Sequence, residues 1–96
     1  MGSKNPFKGK IICSYCKGNF KVKTERGTVK FICNNYTKNS KLCQRVIVSR
    51  EILIGLLEMR FGKVDDQLIL DKVNFIEVSM EKILIDLFDE ESIILT

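Results

Sequence analysis

Two short runs of alternating residues set the pattern of this chain. From Asn19 to Thr24, Phe20 and Val22 alternate with Lys21 and Lys23; from Thr28 to Cys33, Val29 and Phe31 alternate with Lys30. A period of two is the mark of a strand with one buried face. Glu25-Arg26-Gly27 between the runs has the length and the glycine of a hairpin loop. The pattern predicts a β-ribbon with one apolar face and one face carrying Lys21, Lys23 and Lys30, with Arg26 at the tip. Upstream, Asn5-Pro6-Phe7 reads as extended, because the residue before proline avoids the helical region. Lys10 to Cys13 reads as a short strand, and so does Arg45 to Val48 downstream of the ribbon.

The period then lengthens. Ser49 is placed as a helix N-cap, with Glu51 near the positive end of the helix dipole. Ile52, Leu53, Leu56, Leu57 and Phe61 share one helical face, and Arg60 and Gly62 stand where a helix stops. That stripe is read as core, packed on the apolar face of the ribbon. Asp65 to Val73 reads as a short helix. Beyond it, Phe75 to Ser79 and Lys82 to Phe88 read as two strands joined at Met80-Glu81. A helix through Ile76, Met80, Ile83, Leu84 and Leu87 also fits a period of 3.6, and over so short a run periodicity does not arbitrate. The density of Val, Ile and Phe favours strands. Asp89-Glu90-Glu91-Ser92 interrupts the pattern before Ile93-Ile94-Leu95.

Four cysteines change the picture. Cys13 and Cys16 have the C-x-x-C spacing that lets one tight turn present two sulfurs to one metal, and Cys33 and Cys43 flank a loop that returns the chain to it. Gly18 is expected to take a positive φ where Cys16-Lys17-Gly18 closes the first turn. Two disulfides in any of three connectivities compete, as does a thioredoxin-like redox pair. The first needs an oxidising compartment, and no secretory signal opens the chain. The second needs a βαβ setting, and this C-x-x-C sits between short strands. The preferred reading is one structural Zn²⁺ held by Cys13, Cys16, Cys33 and Cys43. There is no histidine to join the set, and four protein ligands leave no position for reactive water. Asn35-Tyr36-Thr37 also matches a glycosylation sequon, a short match given little weight.

The chain has 96 residues, enough for one small domain whose modest core often needs a staple. Structural zinc supplies about 10–16 kcal/mol in small peptides. The residues are divided into an arm outside the fold (1–4), a zinc ribbon plus helix (5–62) and a closing segment of the same domain (63–96). No apolar run approaches the roughly 20 residues of a membrane span. The net charge of +4 hides an asymmetry: residues 1–50 carry twelve Lys and Arg against Glu25 alone, while residues 51–96 carry four against eleven acids. A solvated surface does not require such a division, and the first half looks suited to a polyphosphate.

The order of these features resembles the zinc β-ribbon domain of the large serine recombinases, the site-specific integrases and resolvases of phages and transposons. The resemblance runs over about residues 5–61: Asn5-Pro-Phe-Lys-Gly-Lys-Ile-Ile-Cys13-Ser-Tyr-Cys16-Lys-Gly18, a basic hairpin into Phe31-Ile-Cys33, then Cys43, then Arg45-Val-Ile-Val-Ser-Arg-Glu-Ile-Leu. Val73 to Phe88 resembles the strand pair that closes the domain. Lys17 departs from the pattern, standing where that family usually has glycine. The family's long coiled coil also has no counterpart, since Phe61-Gly62-Lys63-Val64-Asp65 runs straight on without heptads.

The expected fold is a small α+β one: a four-cysteine zinc β-ribbon followed by a helix and a short C-terminal helix plus β-hairpin. The resemblance implies a DNA-binding module of a site-specific serine recombinase, recognising attachment-site DNA while another domain cuts. Lys17, Lys21, Lys23, Arg26, Lys30, Lys38, Lys41 and Arg45 are the expected DNA contacts, with Arg26 and Arg45 as base readers and the lysines on phosphates. Expected partners are double-stranded DNA and other recombinase domains or protomers, with no membrane and no small-molecule substrate. The expected location is the cytoplasm of a bacterium, the chain being bacterial or phage-encoded. No catalysis is expected, because no serine has a histidine partner and a closed zinc site activates no water. Two other classes compete: an RNA-binding or transcription-associated zinc ribbon, and a protein-interaction module docking through Glu77, Glu81, Asp86, Asp89, Glu90 and Glu91.

Overall fold

A computed structural model describes residues 6, 7 and 9–96. The arm assigned to residues 1–4, and Asn5 and Lys8, lie outside the described residues. The elements in order are β1 (Ile11–Cys13), β2 (Phe20–Glu25), β3 (Thr28–Cys33), α1 (Asn34–Lys38), β4 (Ile47–Ser49), α2 (Arg50–Phe61), α3 (Asp66–Lys72), β5 (Val73–Val78), β6 (Ile83–Leu87) and β7 (Ile93–Leu95). This is a small α+β fold with two sheets, one ordered β1-β5-β6-β7 and the other β2-β3-β4.

The hairpin pairs as its alternation predicts, with Phe20 opposite Cys33, Val22 opposite Phe31 and Lys23 opposite Lys30. Its apolar face, however, is buried only along β3: Phe31 and Ile32 are both buried, while Val22 on the outer strand is 46% exposed, because the core lies beneath β3 and not beneath β2. Its turn is tighter than the expected three-residue loop. Glu25 pairs with Thr28, leaving Arg26 and Gly27 as the two turn residues, with φ of 52° and 80°. Two successive positive φ values match the right-handed twist of a hairpin. β4 adds to the free side of β3. Ser49 then caps α2, its Oγ accepting from Ile52 N at 3.3 Å, and Gly62 ends it at φ 85°. The apolar face of α2 is narrower than its sequence stripe: Leu53 and Leu57 are fully buried, while Ile52 at the first turn is 46% exposed. Asp65 caps α3 by accepting from Leu68 N at 2.8 Å.

Residues 73–88 are strands, joined by the turn Ser79–Lys82 in which Ser79 N donates to Lys82 O at 2.8 Å. β1 pairs in parallel with β5, Ile11 opposite Ile76 and Cys13 opposite Val78. The start of the chain and its closing segment therefore share one sheet. Ile93–Leu95, which alternation did not mark, adds as β7 along β6. One core lies between the sheets and under α2 and α3: Phe7, Ile11, Phe31, Val48, Leu53, Leu57, Ile69, Ile76 and Ile85 belong to it. Phe7 meets Phe31 edge to face, centroids 5.6 Å apart, which ties the N-terminal turn to the ribbon. Among the described residues no charged or polar residue is buried.

Candidate metal centre

The four cysteines come from different parts of the fold. Cys13 ends β1 in the four-stranded sheet, Cys16 sits in the turn after it, Cys33 ends β3 of the ribbon, and Cys43 lies in the loop before β4. Their sulfurs all lie within 4.8 Å of one another. Cys13 Sγ is 3.4 Å from Cys43 Sγ, and Cys16 Sγ is 3.6 Å from Cys33 Sγ. A tetrahedron with metal–sulfur bonds of about 2.3 Å has edges of about 3.8 Å, so these separations suit one central ion. They are far from a disulfide of about 2.0 Å, and the thiols are free.

The first turn is built by backbone bonds: Lys17 N donates to Cys13 O, and Cys13 N to Gly18 O, both at 2.9 Å. The positive φ falls on Lys17, at 61°, and not on Gly18. Lys17 thus adopts the backbone conformation that suits glycine, at the position where the resemblance expects glycine. Gly18 is needed for another reason. A Cβ there would lie 2.7 Å from Asn35 Nδ2 and 3.4 Å from Cys16 Sγ. Asn35 Nδ2 donates to Cys16 Sγ at 3.2 Å, and Gly18 N donates to the same sulfur at 3.4 Å.

Asn35 stands on α1, a single helical turn where the sequence predicts only a loop. It is the site residue that sequence reasoning misses. Its only signal is an asparagine two positions after a ligand, inside the sequon match.

The sulfurs are electrostatically unequal. Burial opposes ionisation of Cys16, but the Gly18 N–H, the Asn35 amide and the neighbouring thiols outweigh it and bring its pKa down to about 6. Burial pushes Cys33 up, and it pushes Cys43 up to about 12, helped by the surrounding sulfurs. One thiolate gathers the donors, and a second negative charge beside it is disfavoured. A divalent cation at the centre reverses that preference, because it favours every thiolate at once. The donor set fits a closed four-sulfur site.

Residues 6–59 match the family described as recombinase zinc beta ribbon domain. The chain belongs to that family. No curated protein and no solved structure matches it. The match makes this zinc ribbon a recombinase-associated module, and its span includes all four cysteines.

The basic residues of the ribbon separate into groups. Lys21 and Lys23 are exposed on β2 and share a face with the half-buried Lys30. Arg26 is at the exposed tip, and Lys38 and Lys41 are exposed between Cys33 and Cys43. Arg45 is exposed just before β4. Lys17 is held by Glu77, Nζ to Oε2 at 3.1 Å, and Lys30 lies 3.8 Å from Glu25. Lys21, Lys23, Arg26, Lys38, Lys41 and Arg45 make no ion pair among the described residues. No helix among the described residues is long and apolar enough to cross a membrane.

Proposed function

We propose that this zinc ribbon is the DNA-binding module of a site-specific serine recombinase, holding attachment-site duplex for a catalytic domain, with Zn²⁺ at Cys13, Cys16, Cys33 and Cys43. Four sulfurs at tetrahedral spacing suit zinc, and with no open position the ion is structural. The observation that carries the DNA reading is the pair Lys23 and Lys30, directly opposite each other on the ribbon. Like charges opposite one another destabilise a sheet. Lys21 on the same face and Arg26 at the tip add to the cost, and the only acid paired with this group among the described residues is Glu25, beside Lys30. Polyanion binding recovers that cost.

In this reading Lys21, Lys23 and Arg26, with Lys38 and Lys41, lie along phosphates, and Arg26 reads a base edge. Lys17, already paired with Glu77, contributes least. Arg45 and Lys30 reach the duplex only from the border of the ribbon. The zinc has no step in any reaction; it fixes the turns that present these side chains.

The test is anisotropy titration of the zinc-loaded protein with duplex DNA over a range of salt. Neutralising Lys21, Lys23 and Arg26 together lowers affinity and flattens the slope of log K against log salt by about 0.9 for each phosphate no longer neutralised. Unchanged affinity and slope remove the ribbon face from the reading. Tighter binding to structured RNA than to duplex in direct competition gives the site to RNA.

A further inference from the structure

The two edges of the three-stranded sheet are built differently. β2 displays Lys21 and Lys23, and lysines on an outer strand discourage pairing with another chain. β4, Ile47–Ser49, is the other edge and carries no charge. Cys33 N donates to Val46 O at 3.0 Å, and the register continues Ile32 to Ile47 and Phe31 to Val48. Alternate residues of an antiparallel ladder turn their main-chain groups to opposite sides. The Val46 carbonyl and the main-chain groups of Val48 therefore face β3, the Val46 N–H donates to Gln44 O at 2.9 Å, and Ile47 turns its N–H and C=O to the free side.

That free side opens on a groove of about 470 Å³. β4 is one wall and the β5–β6 turn is the other, while Ile52 and Leu95, each about half exposed, contribute to an apolar floor. Three cations line it, Lys30, Arg45 and Lys82, against a single acid, Glu81. Lys82 and Arg45 have no ion-pair partner among the described residues. An uncharged open edge, an apolar floor and surplus positive charge occur together here.

We propose that this groove binds an extended acidic peptide that adds to β4 as a fourth strand. Its main chain bonds to Ile47, its carboxylates meet Arg45 and Lys82, and an apolar side chain rests on the floor beside Ile52. In strand addition the main chain supplies affinity and alternate side chains supply specificity. The chemistry disfavours the other occupants. Two copies pairing β4 to β4 about Ile47 bring two sets of the same three cations together. A duplex presents no strand edge to Ile47 and nothing apolar enough for the floor. The proposal does not depend on the DNA reading: Lys21, Lys23 and Arg26 lie on the opposite edge and the hairpin tip, and only Lys30 and Arg45, at the border of the ribbon, are shared with the groove.

The experiment selects random dodecapeptides by display against the metal-loaded protein, then titrates one enriched peptide into isotope-labelled protein. The expected consensus alternates acidic and apolar residues. The Ile47 amide shifts on binding and its hydrogen exchange slows. Reversing charge at Arg45→Glu and Lys82→Glu together weakens binding about tenfold or more. Ile47→Pro, which deletes the N–H, abolishes it. The surface charge variants keep the test independent of any folding defect in the proline variant. No enrichment, a consensus without acids, or shifts that bypass Ile47 overturn the proposal. So does duplex DNA that displaces the peptide from Ile47, or dimerisation through β4 without peptide.

Discussion

Gly18→Ala is the smallest change that reaches the metal centre without touching a ligand. The added Cβ would sit 2.7 Å from Asn35 Nδ2, and non-bonded heavy atoms prefer about 3.5 Å or more, so the amide must retreat by roughly 0.8 Å. Because that Cβ lies only 3.4 Å from Cys16 Sγ, a straight retreat lengthens the bond from Asn35 Nδ2 to the sulfur from 3.2 Å to about 3.6 Å, which stretches and weakens it without breaking it. Gly18 has no positive φ, so backbone strain adds nothing to the cost. A hydrogen bond to a charged acceptor contributes about 1.5–3 kcal/mol, and 1.4 kcal/mol is about tenfold in affinity. Losing the bond outright, in Asn35→Ala, should therefore lower metal affinity about ten- to a hundred-fold, as is usual when a group supporting a metal ligand is removed, and Gly18→Ala, which only stretches it, should lower affinity less, by up to about tenfold. Competition against a chelator of known affinity, with Co²⁺ as the coloured reporter and Zn²⁺ as competitor, reads this directly. Gly18→Ala added to Asn35→Ala should cost almost nothing, because both act on the same bond. Equal costs for Gly18→Ala in the two backgrounds would refute the reasoning.

Leu57→Ala empties a fully buried position beneath α2 and should cost about 2–5 kcal/mol, read as a lower denaturant midpoint at unchanged slope. Glu77 is held below the usual carboxylate range, chiefly by its hydrogen bond from Lys17 and next by Ser14, so it adds stability above pH 4.5 that is lost as pH falls through its lower folded value. Glu77→Gln should flatten that acid limb, measured as the difference between the two proteins because acid also strips thiolate-bound metal from both. Removing the metal with chelator should broaden or abolish the cooperative unfolding transition, since the ligands join both sheets; an unchanged transition in metal-free protein would contradict this.

What the residues announce in advance is local. The hairpin, the Ser49 cap, the stop at Gly62 and the Cys13–Cys16 pair each depend on neighbours a few residues away, and local chemistry specifies them. The pairing of β1 with β5 joins Ile11 to Ile76, and no periodicity reports a contact of that sequence separation. α1 escapes because one turn rich in asparagine has little helical propensity and is held by what surrounds it. The positive φ is expected at Gly18 because glycine adopts it at least cost, but the turn geometry places it one residue earlier, on Lys17. Gly18 serves instead to admit the Asn35 amide, a packing demand invisible until α1 is in place. Ile52 matches the helical stripe yet faces the groove, because the core under α2 is only wide enough for Leu53 and Leu57 at full burial.

The uneven charge of the two halves also divides once the fold is known. Part of it is internal attraction: Lys17 reaches Glu77, and Arg50 lies 4.0 Å from Asp66, each pair joining the basic half to the acidic one. These exposed pairs are worth little singly, but they lie where the halves pack, so they favour the native arrangement over others. Among the described residues, the cations of the basic half without such partners include Lys21 and Lys23 on the hairpin, Arg26 at its tip, Lys38 and Lys41 in the segment between Cys33 and Cys43, and Arg45 before β4. Two of the ligands, Cys33 and Cys43, bound that segment, and Cys33 also ends the hairpin. An ion held by the four clustered cysteines would fix both basic segments relative to each other and to the sheet that carries the acids. A single charge-neutral substitution at a ligand should disturb every cationic surface of this zinc ribbon together, whereas neutralising any one lysine should disturb only its own.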